Sequence, residues 1–80
     1  MILIDVLVPP IDRIYDFEVD EDIDVESLRE KIETLVSKKE KIIFNADGRE
    51  LFLYRKGDFL KGHLSLAKQG ILNGDRLILI

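Results

Sequence analysis

The chain has 80 residues, 46% of them hydrophobic, with no cysteine and a formal charge of −4 from 12 basic and 16 acidic side chains. That length makes one small domain, residues 1–80, which buries only about 60–65% of the surface it exposes when unfolded. It does so without a disulfide, a thiolate metal site or thiol chemistry. The mild acidity is not the concentrated basic face of a nucleic-acid binder, and no apolar run approaches the ~20 residues that span a bilayer.

Ile2, Ile4, Val6 and Val8 alternate with Leu3, Asp5 and Leu7, a period-two pattern that predicts a strand lying inside a sheet. Pro9-Pro10-Ile11-Asp12 breaks it with turn chemistry. From Arg13 to Asp20 the alternation resumes, with Tyr15, Phe17 and Val19 on one side and Asp16, Glu18 and Asp20 on the other, so the two strands form a hairpin. Asp20-Glu21-Asp22-Ile23-Asp24 precedes a helix, where carboxylates suit the positive end of the dipole. Asp24 is the expected N-cap, and Ile23 can staple to Leu28. Val25, Leu28, Ile32, Leu35 and Val36 form the apolar stripe of that helix, which is expected to stop near Lys38.

Ile42-Ile43-Phe44 is expected to plug the bottom of the core, and Asn45-Ala46-Asp47-Gly48 ends this stretch. Leu51 to Arg55 reads as a third strand, Lys56-Gly57-Asp58 as a tight turn and Phe59-Leu60 as a short fourth strand. Gly62 to Leu66 leads into a helical turn, and Arg76 to Ile80 is the final strand. The order β-β-α-β-β-turn-β is that of an α+β ubiquitin-like β-grasp, a mixed sheet of four or five strands with one helix packed across it.

The second half is more particular. Arg55-Lys56-Gly57-Asp58-Phe59-Leu60, then Leu64 and Leu66, then Gly70-Ile71 and Asn73-Gly74-Asp75-Arg76-Leu77 with Leu79 resembles the YukD/EsaB-like proteins. These are ubiquitin-like proteins of about this length, encoded with the type VII (ESX-like, WXG100) secretion systems of Gram-positive bacteria. The first half matches in pattern only. The resemblance implies a small cytosolic accessory or regulatory protein of the secretion machinery, not an enzyme, with no catalytic residues and no cofactor. A related domain forms the cytosolic part of a membrane component in the mycobacterial systems, and such a component is the partner the resemblance suggests.

Individual residues point the same way. A conjugated or sulfur-carrying relative needs a flexible tail ending in Gly-Gly; here Leu79 and Ile80 read as strand, and no such tail is expected. His63 is the only histidine and has no partners for a metal site or a nucleophile system, so it reads as an ordinary exposed or capping residue. The acidic run lacks the loop spacing and central glycine of a calcium loop and reads as a solvated face plus a helix cap. Lys38, Lys39, Lys41, Arg49, Arg55, Lys56 and Lys61 are dispersed cations of the surface. The opening Met1-Ile2-Leu3-Ile4-Asp5 lacks the features of a signal peptide. A cytoplasmic protein is therefore expected, reaching the inner face of the membrane only through a partner, with no direct insertion.

The sheet face away from the helix is the candidate site. If Leu51, Leu53, Leu77 and Leu79 face the helix, alternation turns their neighbours outward, and the bare side carries Leu3, Leu7, Phe52, Tyr54, Ile78 and Ile80. Ubiquitin is recognised on that side through an apolar patch. Several large apolar residues exposed together usually mark an interface, and Phe and Tyr make good anchors. Against this stands the option that Arg13 and Arg76 cover the face. Two functions fit: docking onto a secretion component, or self-association into a homodimer or an adaptor unrelated to secretion.

Overall fold

The computed structural model describes residues 1–44 and 49–80. The expected boundary at Asn45-Ala46-Asp47-Gly48 lies outside the described residues. β1 (Ile2–Val8) and β2 (Arg13–Val19) form an antiparallel hairpin, followed by α1 (Val25–Glu40). β3 (Leu51–Leu53), β4 (Asp58–Phe59) and β5 (Arg76–Leu79) complete a five-stranded sheet in the order β2-β1-β5-β3-β4. β1 and β5 run parallel, and the other pairs are antiparallel. One helix against a mixed sheet is the expected β-grasp.

The hairpin closes through a short 3-10 turn over Pro9–Ile11. Proline suits its first position because the N–H it lacks would have no partner there, and Asp12 closes the turn at φ 50°, its N–H donating to the Pro9 carbonyl at 3.0 Å. Ile4, Val6 and Val8 then face α1 across from Phe17, Tyr15 and Arg13.

Asp24 caps α1 as expected: its carboxylate accepts from the Ser27 N–H at 3.0 Å and from the Ser27 hydroxyl at 2.8 Å. The remaining free N–H groups of the first turn are met by the second half of the chain. Val25 donates to the Leu64 carbonyl and Glu26 to the Gly62 carbonyl, at 3.0 and 2.9 Å. The helix runs past Lys38 to Glu40, and Lys41 at φ 55° ends it. The N–H groups of Lys41 and Ile42 both return to the Ser37 carbonyl, so the stop is a left-handed C-terminal cap rather than a failure of the lysines to be helical.

Val25, Leu28, Ile32 and Val36 are buried, but Leu35 is 49% exposed, a correction to the expected stripe. Successive helix positions turn by about 100°, and once Val36 points at the sheet Leu35 is carried to the flank. Ile42 and Phe44 pack against the core as expected, whereas Ile43 is 95% exposed. The third strand is shorter than predicted, because the chain turns from Tyr54 onward and Gly57 adopts φ 65°. The helical turn near Leu66 is a 3-10 turn over Ala67–Gln69.

Candidate docking face

The register places five outward side chains side by side across the whole sheet. Ile14 pairs with Leu7, Leu7 with Ile78, Ile78 with Phe52 and Phe52 with Phe59. One apolar side chain from each strand thus forms an unbroken row, on the side that carries no helix. Phe52 and Phe59 meet edge-to-face with centroids 5.2 Å apart. Ile14 and Phe59 end the row and are each 49% exposed, while Leu7, Phe52 and Ile78 are half-buried between neighbours.

Of the six residues expected on this face, the structure brings Leu7, Phe52 and Ile78 together in the row. The other three share the face but not the row. Tyr54 lies at the start of the turn beside Arg76, its N–H donating to the Arg76 carbonyl at 3.1 Å. Leu3 is set beyond the charged Asp5, opposite Glu18. Ile80 is set on the other flank, where its N–H and carbonyl both bond Glu50, at 2.9 and 2.8 Å. Ile14 and Phe59 escaped the sequence reading. Ile14 has the parity of Asp16 and Glu18, and that was the available signal. Phe59 declares its face only through its pairing with Phe52.

One side of the row is bounded by charge. Asp16 sits opposite Asp5, and Asp5 opposite Arg76, whose guanidinium donates to the Asp5 carboxylate at 3.3 Å. The hydrogen bond between the two carboxyl groups, together with Arg76, holds Asp5 below its ordinary value. The same hydrogen bond and the Asp5 charge hold Asp16 above its own. Arg76 thus lies on this face, as the covering option required. Arg13 does not: it follows the parity of Tyr15 and Phe17 and reaches Glu40 at the end of α1, 3.7 Å away. Tyr15 donates to the same carboxylate.

Several of the residues that carried the sequence resemblance converge elsewhere. Arg55 donates through Nε and Nη2 to the two oxygens of Asp75, both at 2.9 Å, and Nη2 also reaches the Gly70 carbonyl at 2.9 Å. Asp75 is buried and accepts from the Leu72 N–H at 2.7 Å. The Arg55 bond and that turn N–H hold its carboxyl below the ordinary range against the desolvation that would raise it. Gly74 takes φ 88°, and its N–H donates to the Leu3 carbonyl at 2.7 Å. The motif is therefore a lock joining the β3–β4 turn to the entry of β5. Arg55, Gly70 and Asp75 hold one another there, while Phe59 and Arg76 of the same stretch lie on the outer face.

The expected basic residues do not act as one edge. Arg55 is committed to Asp75, Lys39 lies over the Tyr15 ring at 5.4 Å and Arg49 over the Phe44 ring at 5.0 Å. His63 is exposed.

No protein-family model matches this chain, and no curated protein matches it. Among solved structures it is similar to the ubiquitin of Caldiarchaeum subterraneum, at a TM-score of 0.74 and 24% identity over 99% of this chain and 90% of that one. It is also similar to the ubiquitin-like domain of an Arabidopsis thaliana protein, at 0.71 and 24% over 99% of this chain and 74% of that one. The fold is ubiquitin-like. At this level of identity the likeness speaks of fold alone.

Proposed function

We infer that this chain is a non-enzymatic, non-conjugated ubiquitin-like docking module, an accessory or regulatory protein of a type VII secretion system. In this reading it works in the cytoplasm and meets the membrane through the cytosolic part of a secretion component. The observation that carries docking is the row Ile14, Leu7, Ile78, Phe52 and Phe59, which spends one large apolar residue from every strand on the side the helix leaves bare. A patch of that continuity is what a partner with an apolar surface needs. The assignment to secretion rests on the YukD/EsaB-like spacing of the second half.

The test uses the tagged full chain and membranes of the source cells. Capture of a membrane secretion component, identified by mass spectrometry, is expected from the wild type and is expected to vanish with Phe59→Asp and with Ile78→Ala, both checked for an intact fold by circular dichroism. Capture that survives both variants removes the docking row. Light scattering over a range of concentrations separates the rival reading, because a concentration-dependent dimer abolished by the same substitutions would make the row a self-association surface instead.

A further inference from the structure

The second unoccupied surface is an edge. β2 is an outer strand of the sheet and seven residues long, against two residues for β4 at the opposite side. The direction of its main-chain groups follows from its neighbour. In β1, the Asp5 N–H donates to the Asp75 carbonyl and the Leu3 carbonyl accepts from the Gly74 N–H, so the odd residues of β1 face β5. Successive residues of a strand point their N–H and C=O to opposite edges. The even residues of β1 therefore bond Arg13, Tyr15, Phe17 and Val19 of β2. Ile14, Asp16 and Glu18 are left directing their N–H and C=O outward, and no strand among the described residues pairs with them. Long open edges are rare in soluble domains, which shorten, cover or charge them.

Beside this edge runs a groove between β2 and α1. It holds about 430 Å³ between Tyr15, Phe17, Leu35 and Val36, with Asp16, Lys38 and Lys39 at its rim. Past Phe17 and Leu35 it continues into a recess of about 190 Å³ that reaches Ile23 and Lys31. The half-exposed Leu35, misplaced by the helical stripe, is part of this wall.

Charge selects the occupant. A strand added to β2 would alternate its side chains between the groove and the outer face. On the outer face it would extend the row Asp16–Asp5–Arg76, in which Asp5 is paired with Arg76 and Asp16 makes no ion pair among the described residues. The hydrogen bond to Asp5 and the Asp5 charge hold the Asp16 carboxyl above its ordinary value. A basic side chain directly across from Asp16 or Glu18 completes the alternation of sign. On the groove side the rim carries both signs, Lys31, Lys38 and Lys39 beside Asp16, Glu18 and Asp20, and the wall of Tyr15, Phe17, Ile23, Leu35 and Val36 suits apolar side chains. A second copy of this chain is the wrong occupant, because antiparallel pairing of β2 with itself would crowd Asp16 and Glu18 of both copies along one edge.

We propose that the β2 edge and the β2–α1 groove bind an extended segment of another protein, one in which large apolar residues alternate with lysine or arginine, as a sixth strand of the sheet. Main-chain hydrogen bonds supply the hold, and the alternation supplies the selectivity.

The probe is an acetylated, amidated peptide Lys-Val-Lys-Val-Lys-Val-Lys titrated into the isotope-labelled full chain by NMR. The largest amide shifts, and newly slowed amide exchange, are expected at Ile14, Asp16 and Glu18. Asp16→Lys and Leu35→Asp, both at exposed positions, are each expected to weaken binding about tenfold, while Phe59→Asp on the outer row leaves it unchanged. Methylating alternate peptide nitrogens, or exchanging lysine for glutamate, is expected to abolish it. Shifts centred on Phe52 and Ile78, equal binding of the methylated peptide, or no saturable shift would each overturn the proposal. So would edge amides already slowed, in a concentration-dependent way, without peptide.

Discussion

The two sides of this sheet are built from the same strands and answer to different demands. Towards the helix, Ile4, Val6, Val8, Leu51, Leu53, Leu77 and Leu79 are at most 1% exposed. Away from it, Leu3, Ile14 and Phe59 stand at 52%, 49% and 49%. On the covered side the apolar residues are what an 80-residue domain without disulfides must have to fold. On the bare side burial accounts for them only in part, since Leu7, Phe52 and Ile78 are half-buried between neighbours, and a contiguous apolar row of five is the kind of patch that marks interfaces. In the proposed reading, alternation along a strand serves stability on one face and recognition on the other.

Neighbouring residues of β5 test that division most sharply. Leu77→Ala on the covered side is expected to cost about 3–4 kcal/mol. Ile78→Ala one step along should cost only about 1–2 kcal/mol, since less of its surface is removed from water. Urea unfolding of both variants gives the two numbers, and equal losses would erase the distinction between the faces. Asp75→Ala comes next, at about 2–3 kcal/mol at neutral pH, because it strips Arg55 of its bidentate partner and the Leu72 N–H of its acceptor. The folded carboxyl lies below its ordinary 3.8, so its stabilisation is complete above that pH and fades as the pH falls through the lowered value. The gap between wild type and Asp75→Ala should therefore narrow in acid, and a gap that widens would refute the lock. The smallest effect is a gain: Lys41→Gly relieves a left-handed residue at φ 55° and is expected to add about 0.5–1 kcal/mol, with capture of the partner unaffected.

Much of the architecture could be read from local chemistry. The alternation in β1 and β2, the Asp24 cap and the outward parity of Leu7, Phe52 and Ile78 all follow from residue type and spacing. What escaped depends on distant partners. Leu35 belongs to the helical stripe by spacing, yet the sheet beneath is not wide enough at that flank to cover it. Arg13 looked free to shield the outer face until Glu40 came within reach. The helix end was set by main-chain bonds back to Ser37, for which the lysine run gives no sign. The bond between Arg55 and Asp75 spans twenty residues, and a sequence shows such residues recurring in a motif without showing that they touch.

The parallel pairing of β1 with β5 also has a consequence during synthesis. β1 and β2 leave the ribosome early and can zip together at once, but the other flank of β1 has no mate until everything up to Leu79 has been made. A nascent chain therefore waits with a hydrophobic ribbon half covered, and closure over so long a loop is slow. For that interval the apolar flank of β1 has no interior to cover it and is open to wrong contacts.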